Sequence, residues 1–177
     1  MLELLLDGGV LPIGQFMAAG GFMLWWIFAA ATVLWTLILE RYWFFWRIWP
    51  RRKAAVRALW MARPERSSWS ARRIRSALIS AQVASMSATL PLIQMMISLC
   101  PLLGLLGTVT GMIEVFDVMA LKGTSDARAM AAGVSRATIP TMAGMVVGLS
   151  GLLSINRFRK RVKIETERLG DELAYSG

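Results

Sequence analysis

The sequence contains no histidine. That rules out histidine-based catalytic triads, imidazole proton shuttles and histidine-ligated metals. A single cysteine, Cys100, excludes an internal disulfide, and its place in an apolar run marks it as packing material. No lysine or arginine precedes Arg41. The opening Met1-Leu2-Glu3-Leu4-Leu5-Leu6-Asp7 carries acids where a secretory leader carries positive charge, so the segment is expected to be retained. No charged residue of either sign lies between Ser76 and Ile113. Phe22–Leu39 is also uncharged and lacks a polar face, which excludes the surface helix of a soluble domain.

What is present is apolar. Of the 177 residues, 56% are hydrophobic, above the 45–50% or so of soluble domains. A helix needs about 20 apolar residues to cross the hydrocarbon core. Three stretches qualify, and the expected fold is an all-α integral membrane protein with three long transmembrane helices. The expected divisions are a periplasmic interfacial segment at 1–20 and a first crossing at 21–40. A cytoplasmic helical hairpin at 41–90 follows, broken near Pro64 and Ser67-Ser68. The second crossing takes 91–116, with Pro91 and Pro101 expected to bend it. A periplasmic loop at 117–132, a third crossing at 133–156 and a cytoplasmic tail at 157–177 complete the chain.

The net charge of +9 is distributed as an orientation signal, not as a nucleic-acid surface. Eleven of the twenty basic residues lie between Arg41 and Arg75, and six more between Arg157 and Arg168. Lysine and arginine stay on the cytoplasmic side. The N-terminus is therefore expected in the periplasm and the C-terminus in the cytoplasm. Tyr42, Trp43, Phe44, Phe45, Trp46 and Trp49 follow the first crossing, and such rings favour the headgroup layer. Arg41, Arg47, Arg51, Arg52 and Lys53 form a basic collar there that could hold anionic lipid headgroups.

The crossings differ in kind. The first is bulky, with Trp25, Trp26, Phe28 and Trp35, and should face lipid. The second places Gly104, Gly107, Thr108 and Gly111 on one helical stripe, and the third does so with Thr141, Gly144, Gly148 and Gly151. Small residues on a stripe let helix backbones approach closely. Threonine hydroxyls on it can also line a polar passage, which makes Thr108 and Thr141 the candidate pathway residues. Glu114, Asp117 and Arg136 are ionisable groups within or beside the spans, and such groups are costly and usually functional. Glu114 lies about 9 Å outward of Thr108, and Arg136 about 7–8 Å outward of Thr141, at 1.5 Å per residue. If the two threonines are level, Glu114 and Arg136 are nearly level and can pair.

The string Leu102-Leu103-Gly104-Leu105-Leu106-Gly107-Thr108-Val109-Thr110-Gly111 resembles the second-helix signature of the MotA/TolQ/ExbB proton-channel family. Gly133-Val134-Ser135-Arg136-Ala137-Thr138-Ile139-Pro140-Thr141-Met142-Ala143-Gly144 is similar to its third-helix signature, and Glu40-Arg41 also fits. The short loop and tail look like ExbB or TolQ, and most like ExbB of TonB systems. The resemblance implies a homopentameric ring in a bacterial inner membrane, with a dimer of a single-span ExbD-like partner in the pore. The protonatable aspartate would sit on that partner, with Thr108 and Thr141 facing it. Proton flow would then energise a TonB-like protein and outer-membrane import of iron-siderophores or vitamin B12. One departure stands out: such proteins usually carry glutamate where this chain has Arg136.

Two other readings remain open at this level. One is a TolQ-like subunit of an envelope-constriction system. The other is a membrane adaptor with no ion pathway. An enzyme is not expected, since the chain lacks clustered carboxylates and a phosphate loop, and Gly104-Leu105-Leu106-Gly107 has no preceding strand. No cofactor, metal or nucleic-acid partner is expected.

Overall fold

A computed structural model describes residues 21–65, 68–122 and 127–173, with the side chains of 121, 122, 127–130, 132, 135 and 136 outside that description. The expected interfacial segment at 1–20 lies outside the described residues. Among the described residues five α-helices are found: α1 (Gly21–Trp43), α2 (Trp49–Met61), α3 (Trp69–Ser87), α4 (Leu90–Lys122) and α5 (Ala127–Glu172). Among the described residues three helical runs, Gly21–Met61, Trp69–Ala120 and Ala137–Glu172, are long and apolar enough to cross a membrane. Only 28%, 28% and 33% of their most apolar windows is buried within the chain. The remainder is too apolar for water and needs lipid or other protein around it.

Helix boundaries depart from the expected divisions in two places. Glu40-Arg41 does not end α1, which continues into a π-helical stretch at Phe44–Ile48 and then α2. The Trp49 N–H bonds the Phe44 carbonyl, five residues back, inside a run of otherwise regular helix. The cause is visible in the inward residues. Arg41, Phe45 and Trp49 are buried and Lys53 is half-buried, four apart each time. In a regular helix three such steps drift by about 120°, at 100° per residue. One extra residue in the turn offsets most of that drift and keeps the stripe facing inward.

The second departure is the expected loop at 117–132. Helix α4 continues to Lys122 and α5 begins at Ala127, leaving 123–126 outside the described residues. Asp117-Val118-Met119-Ala120-Leu121-Lys122 contains neither glycine nor proline, so charge alone does not stop the helix. Helix α2 ends at Met61, and Ser68 caps α3 by accepting the Ala71 N–H at 3.3 Å. A two-residue turn, Ala88-Thr89, separates α3 from α4 just before Pro91.

The contacts group the chain into two units: residues up to Leu34 with Met95–Ser150, and Trp35–Gln94 with Gly151 onward. In the first unit α1 buries Leu24, Ile27, Ala30 and Leu34, a three-to-four-residue stripe. Trp25, Trp26 and Phe28 point out and are more than half exposed. Helices α4 and α5 also expose large apolar side chains, including Leu102, Leu105 and Leu106, and Met142, Val146 and Leu149.

The second unit has its own core. Phe45 stacks on Phe158 with centroids 6.0 Å apart, and Tyr42 meets the same ring edge-on at 4.9 Å. Val56, Trp60, Ala71 and Leu173 cluster with Leu78 and Ile79. Polar ties hold the end of α5: the Trp49 indole donates to Glu165 at 3.0 Å, and Lys53 pairs with Glu172 at 2.6 Å. Arg75 donates to the carbonyls of Gly170 and Leu173 at 2.6 and 2.8 Å. Gly170 lies in the last turn of α5 and Leu173 just past its end, where the helix has no N–H of its own to offer.

Candidate functional site

The glycine stripes of α4 and α5 face each other within one chain. A Cβ built on Gly104 would lie 2.9 Å from the Pro140 carbonyl oxygen and from the Thr141 Cα. One built on Gly144 would lie 2.5 Å from the Cys100 carbonyl oxygen. Both obstacles are backbone, so the helices approach as closely as two main chains can. Gly107 sits against the Pro140 ring, Gly111 against Ala137 and Gly133 against Val115. Gly148 faces Pro101 and the carbonyl of Ile97, and that carbonyl has no helical donor because Pro101 lacks an N–H. Carbonyl oxygens set against glycine Cα atoms suit weak Cα–H···O contacts. Gly151 is buried too, and belongs to the second unit.

Both candidate threonines lie on this pair of helices and are half-exposed. The Thr141 hydroxyl crosses the seam and donates to the Gly104 carbonyl at 2.8 Å. The Thr108 hydroxyl donates to Leu105 in its own helix at 2.7 Å. Thr110, not singled out in the sequence, does the same toward Leu106 at 3.0 Å and Gly107 at 3.1 Å. Each hydroxyl proton is thereby committed to backbone. What remains on each oxygen is acceptor capacity, suited to meeting an incoming O–H donor such as a protonated carboxyl group.

The seam also fixes the register, which differs from the level threonines assumed above. Thr141 lies opposite Gly104, one helical turn before Thr108, an offset of about 6 Å. Ala137, the neighbour of Arg136, packs on Gly111, three residues or about 4.5 Å short of Glu114. Arg136 lies within α5, its side chain outside the described residues. Glu114 and Asp117 are exposed. Glu114 lines a cavity of about 410 Å³ together with Phe22, Thr110, Val118 and Pro140. It is a carboxylate at the rim of a mostly apolar hollow in the first unit.

The basic collar is not one structure. Arg41 is buried at 2% exposure and donates to the Ser85 carbonyl at 3.2 Å. Its guanidinium lies over the Phe44 ring at 4.8 Å, and its Nε is 3.8 Å from Glu40. Glu40 in turn accepts from the Thr89 hydroxyl at 3.4 Å. Together Glu40 and Arg41 grip both sides of the turn between α3 and α4. The cation meets the C-terminal carbonyls of α3, where positive charge is favoured. Lys53 is taken up by Glu172 and Glu165. Arg47, Arg51 and Arg52 remain exposed.

Comparison with known proteins bears on the same helices. Residues 50–170, over half the chain, match the family described as the MotA/TolQ/ExbB proton channel family. A Synechocystis relative named biopolymer transport protein ExbB-like 1 is 40% identical over 81 residues, covering 44% of this chain and 31% of its own length. ExbB-like 3 of the same organism is 43% identical over 70 residues, covering 38% and 33%. Biopolymer transport protein ExbB of Helicobacter pylori is 29% identical over 90 residues, covering 51% and 62%. The chain thus spans about a third of the length of the two Synechocystis relatives.

Proposed function

This chain belongs to the MotA/TolQ/ExbB proton channel family, and from that membership we propose that it is the ring-forming subunit of a proton-driven motor in a bacterial inner membrane. Its N-terminus faces the periplasm and its C-terminus the cytoplasm, as the basic residues flanking the spans favour. Copies of the chain, five by family resemblance, assemble with α4 and α5 toward a central pore. Two copies of a single-span ExbD-like partner occupy that pore and carry the protonatable aspartate. The names of the relatives favour an ExbB role over a TolQ role. Work would then pass to a TonB-like protein that drives outer-membrane import of iron-siderophores or vitamin B12.

The observation that carries this reading is the hydroxyl arrangement on the seam. Thr141 spends its proton on Gly104 and Thr108 spends its own on Leu105. Two acceptor oxygens about a turn apart are left on the face that the glycine packing leaves half-open. A protonated partner carboxyl could donate to either oxygen in turn. The family pattern places glutamate where Arg136 stands: either proton entry in this chain relies on Glu114 or Asp117, or that glutamate is structural and a Glu114–Arg136 pair replaces it.

Native mass spectrometry of the chain in mild detergent, alone and with its single-span partner, tests the assembly. A five-copy ring that takes up two partner chains supports the motor. A monomer or dimer that ignores the partner removes it and leaves a membrane adaptor.

A further inference from the structure

The basic residues after α1 look equivalent in sequence, and the fold separates them. Arg41 is turned inward and Lys53 is paired with acids. Arg47, Arg51 and Arg52 point outward, and among the described residues none of the three enters an ion pair. With Trp43 and Ile48 they line a concavity of about 410 Å³ that contains no acidic residue. The Arg47 guanidinium lies 5.8 Å from the ring centroids of both Trp43 and Trp46, and Arg52 lies 5.7 Å from that of Phe44. These rings hold the guanidinium groups in place without neutralising them. The π-helical stretch contributes directly. Its extra residue keeps Phe45 and Trp49 inward, and so leaves Arg47 and Arg51 on the open face one turn apart.

Depth along α1 says what meets this hollow. About 20 helical residues cross the hydrocarbon core. Counted from Phe22, the core ends near Tyr42, and Arg47 lies about 7–8 Å beyond at 1.5 Å per residue. The headgroup layer adds about 5–7 Å on each side of the core. Trp43 therefore sits at the boundary and Arg47 at the outer edge of the headgroup layer, while Arg51 starts about 6–8 Å further out, a distance a long arginine side chain can reach back across. Guanidinium groups match phosphate oxygens with paired, charge-assisted bonds. Three uncompensated positive charges select a net anionic lipid over a zwitterionic one.

We propose that Trp43, Arg47, Arg51 and Arg52 form a binding site for the phosphate headgroup of an anionic phospholipid in the cytoplasmic leaflet. Arg47 and Arg51 clasp the phosphodiester, Arg52 closes the side, and Trp43 lies against the glycerol region. The site needs only the membrane-spanning fold and stands apart from proton conduction.

The full-length chain in mild detergent is titrated with phosphatidylglycerol and, separately, phosphatidylcholine of the same acyl chains, with bound lipid read by native mass spectrometry. Phosphatidylglycerol is retained in clear preference. The double variant Arg47→Gln/Arg51→Gln weakens its binding by at least about tenfold, since each basic residue near such a surface contributes roughly a fivefold gain. Arg57→Gln, which removes another exposed charge, one outside the hollow, changes binding less than about twofold. Arg47→Lys/Arg51→Lys keeps the charge, loses the planar fork and gives an intermediate loss. Millimolar inorganic phosphate does not displace the lipid. Equal retention of the two lipids, an equal loss in Arg57→Gln, or displacement by inorganic phosphate would each overturn the site. Thermal unfolding of each variant, matching the parent, confirms that the losses are local.

Discussion

The side chain of Thr141 donates a hydrogen bond to the main-chain oxygen of Gly104 in the facing helix, at 2.8 Å. The glycine permits it. A Cβ on Gly104 would strike the backbone of Pro140 and Thr141, so any larger residue would separate the helices and break the bond. Packing and polarity are therefore one device on this seam. The small residue brings the helices together, and the closeness commits the hydroxyl proton and leaves the oxygen as an acceptor.

Replacing Thr141 with valine keeps the shape and removes the oxygen. Hydrogen bonds between membrane helices are worth about 0.6 kcal/mol on average. Thr141→Val is therefore expected to fold and assemble, with a thermal midpoint close to the parent. Proton flux should fall sharply, and Thr141→Ser should retain most of it.

The glycines should divide by what a methyl group would meet. Gly144→Ala drives a Cβ into the Cys100 carbonyl at 2.5 Å and should cost about 1–3 kcal/mol, typical of overpacking. Gly170→Ala, whose nearest neighbour is a flexible Arg75 nitrogen at 3.9 Å, should instead stabilise α5 by up to about 1 kcal/mol. Thermal unfolding in one detergent compares them. Equal effects would remove the close-approach account.

Arg75 holds the end of α5 through the carbonyls of Gly170 and Leu173. Hydrogen bonds to charged groups contribute about 1.5–3 kcal/mol. Arg75→Gln should therefore raise amide hydrogen exchange in the last turn of α5 by about tenfold or more, with exchange in α4 unchanged.

Glu114 and Arg136 are expected to be coupled despite the shifted register. The two helices run antiparallel, so Arg136 lies one residue outward of the Ala137–Gly111 contact, level with about Met112 and about 3 Å along the axis from Glu114. A double-mutant cycle with Glu114→Gln and Arg136→Gln should give at least about 0.5 kcal/mol of interaction energy. Strict additivity would dissolve the pair.

Much of the fold was legible in the sequence, because uncharged runs and flanking arginines report spans directly. The glycine stripes were legible as well, being periodic and made of residues with few other uses mid-membrane. The register was not. It depends on which carbonyl meets Thr141, and equal spacing along two helices does not reveal that. The division of the collar was also hidden. Arg41 continues the buried stripe of Leu34 and Ile38, while the π-helical stretch after it sets how Arg47 and Lys53 face. The ends of α4 and α5 were misjudged for a simpler reason: Asp117 and Lys122 mark the end of a hydrophobic span, not the end of a helix.

The most direct test of the central claim is proton flux into liposomes containing the complex of this chain with its single-span partner, under an imposed membrane potential. The account predicts flux that requires the partner and falls at least about tenfold in Thr108→Val/Thr141→Val, a loss of about 1.4 kcal/mol or more in the barrier, with the complex still assembled. Undiminished flux in that assembled double variant would contradict it.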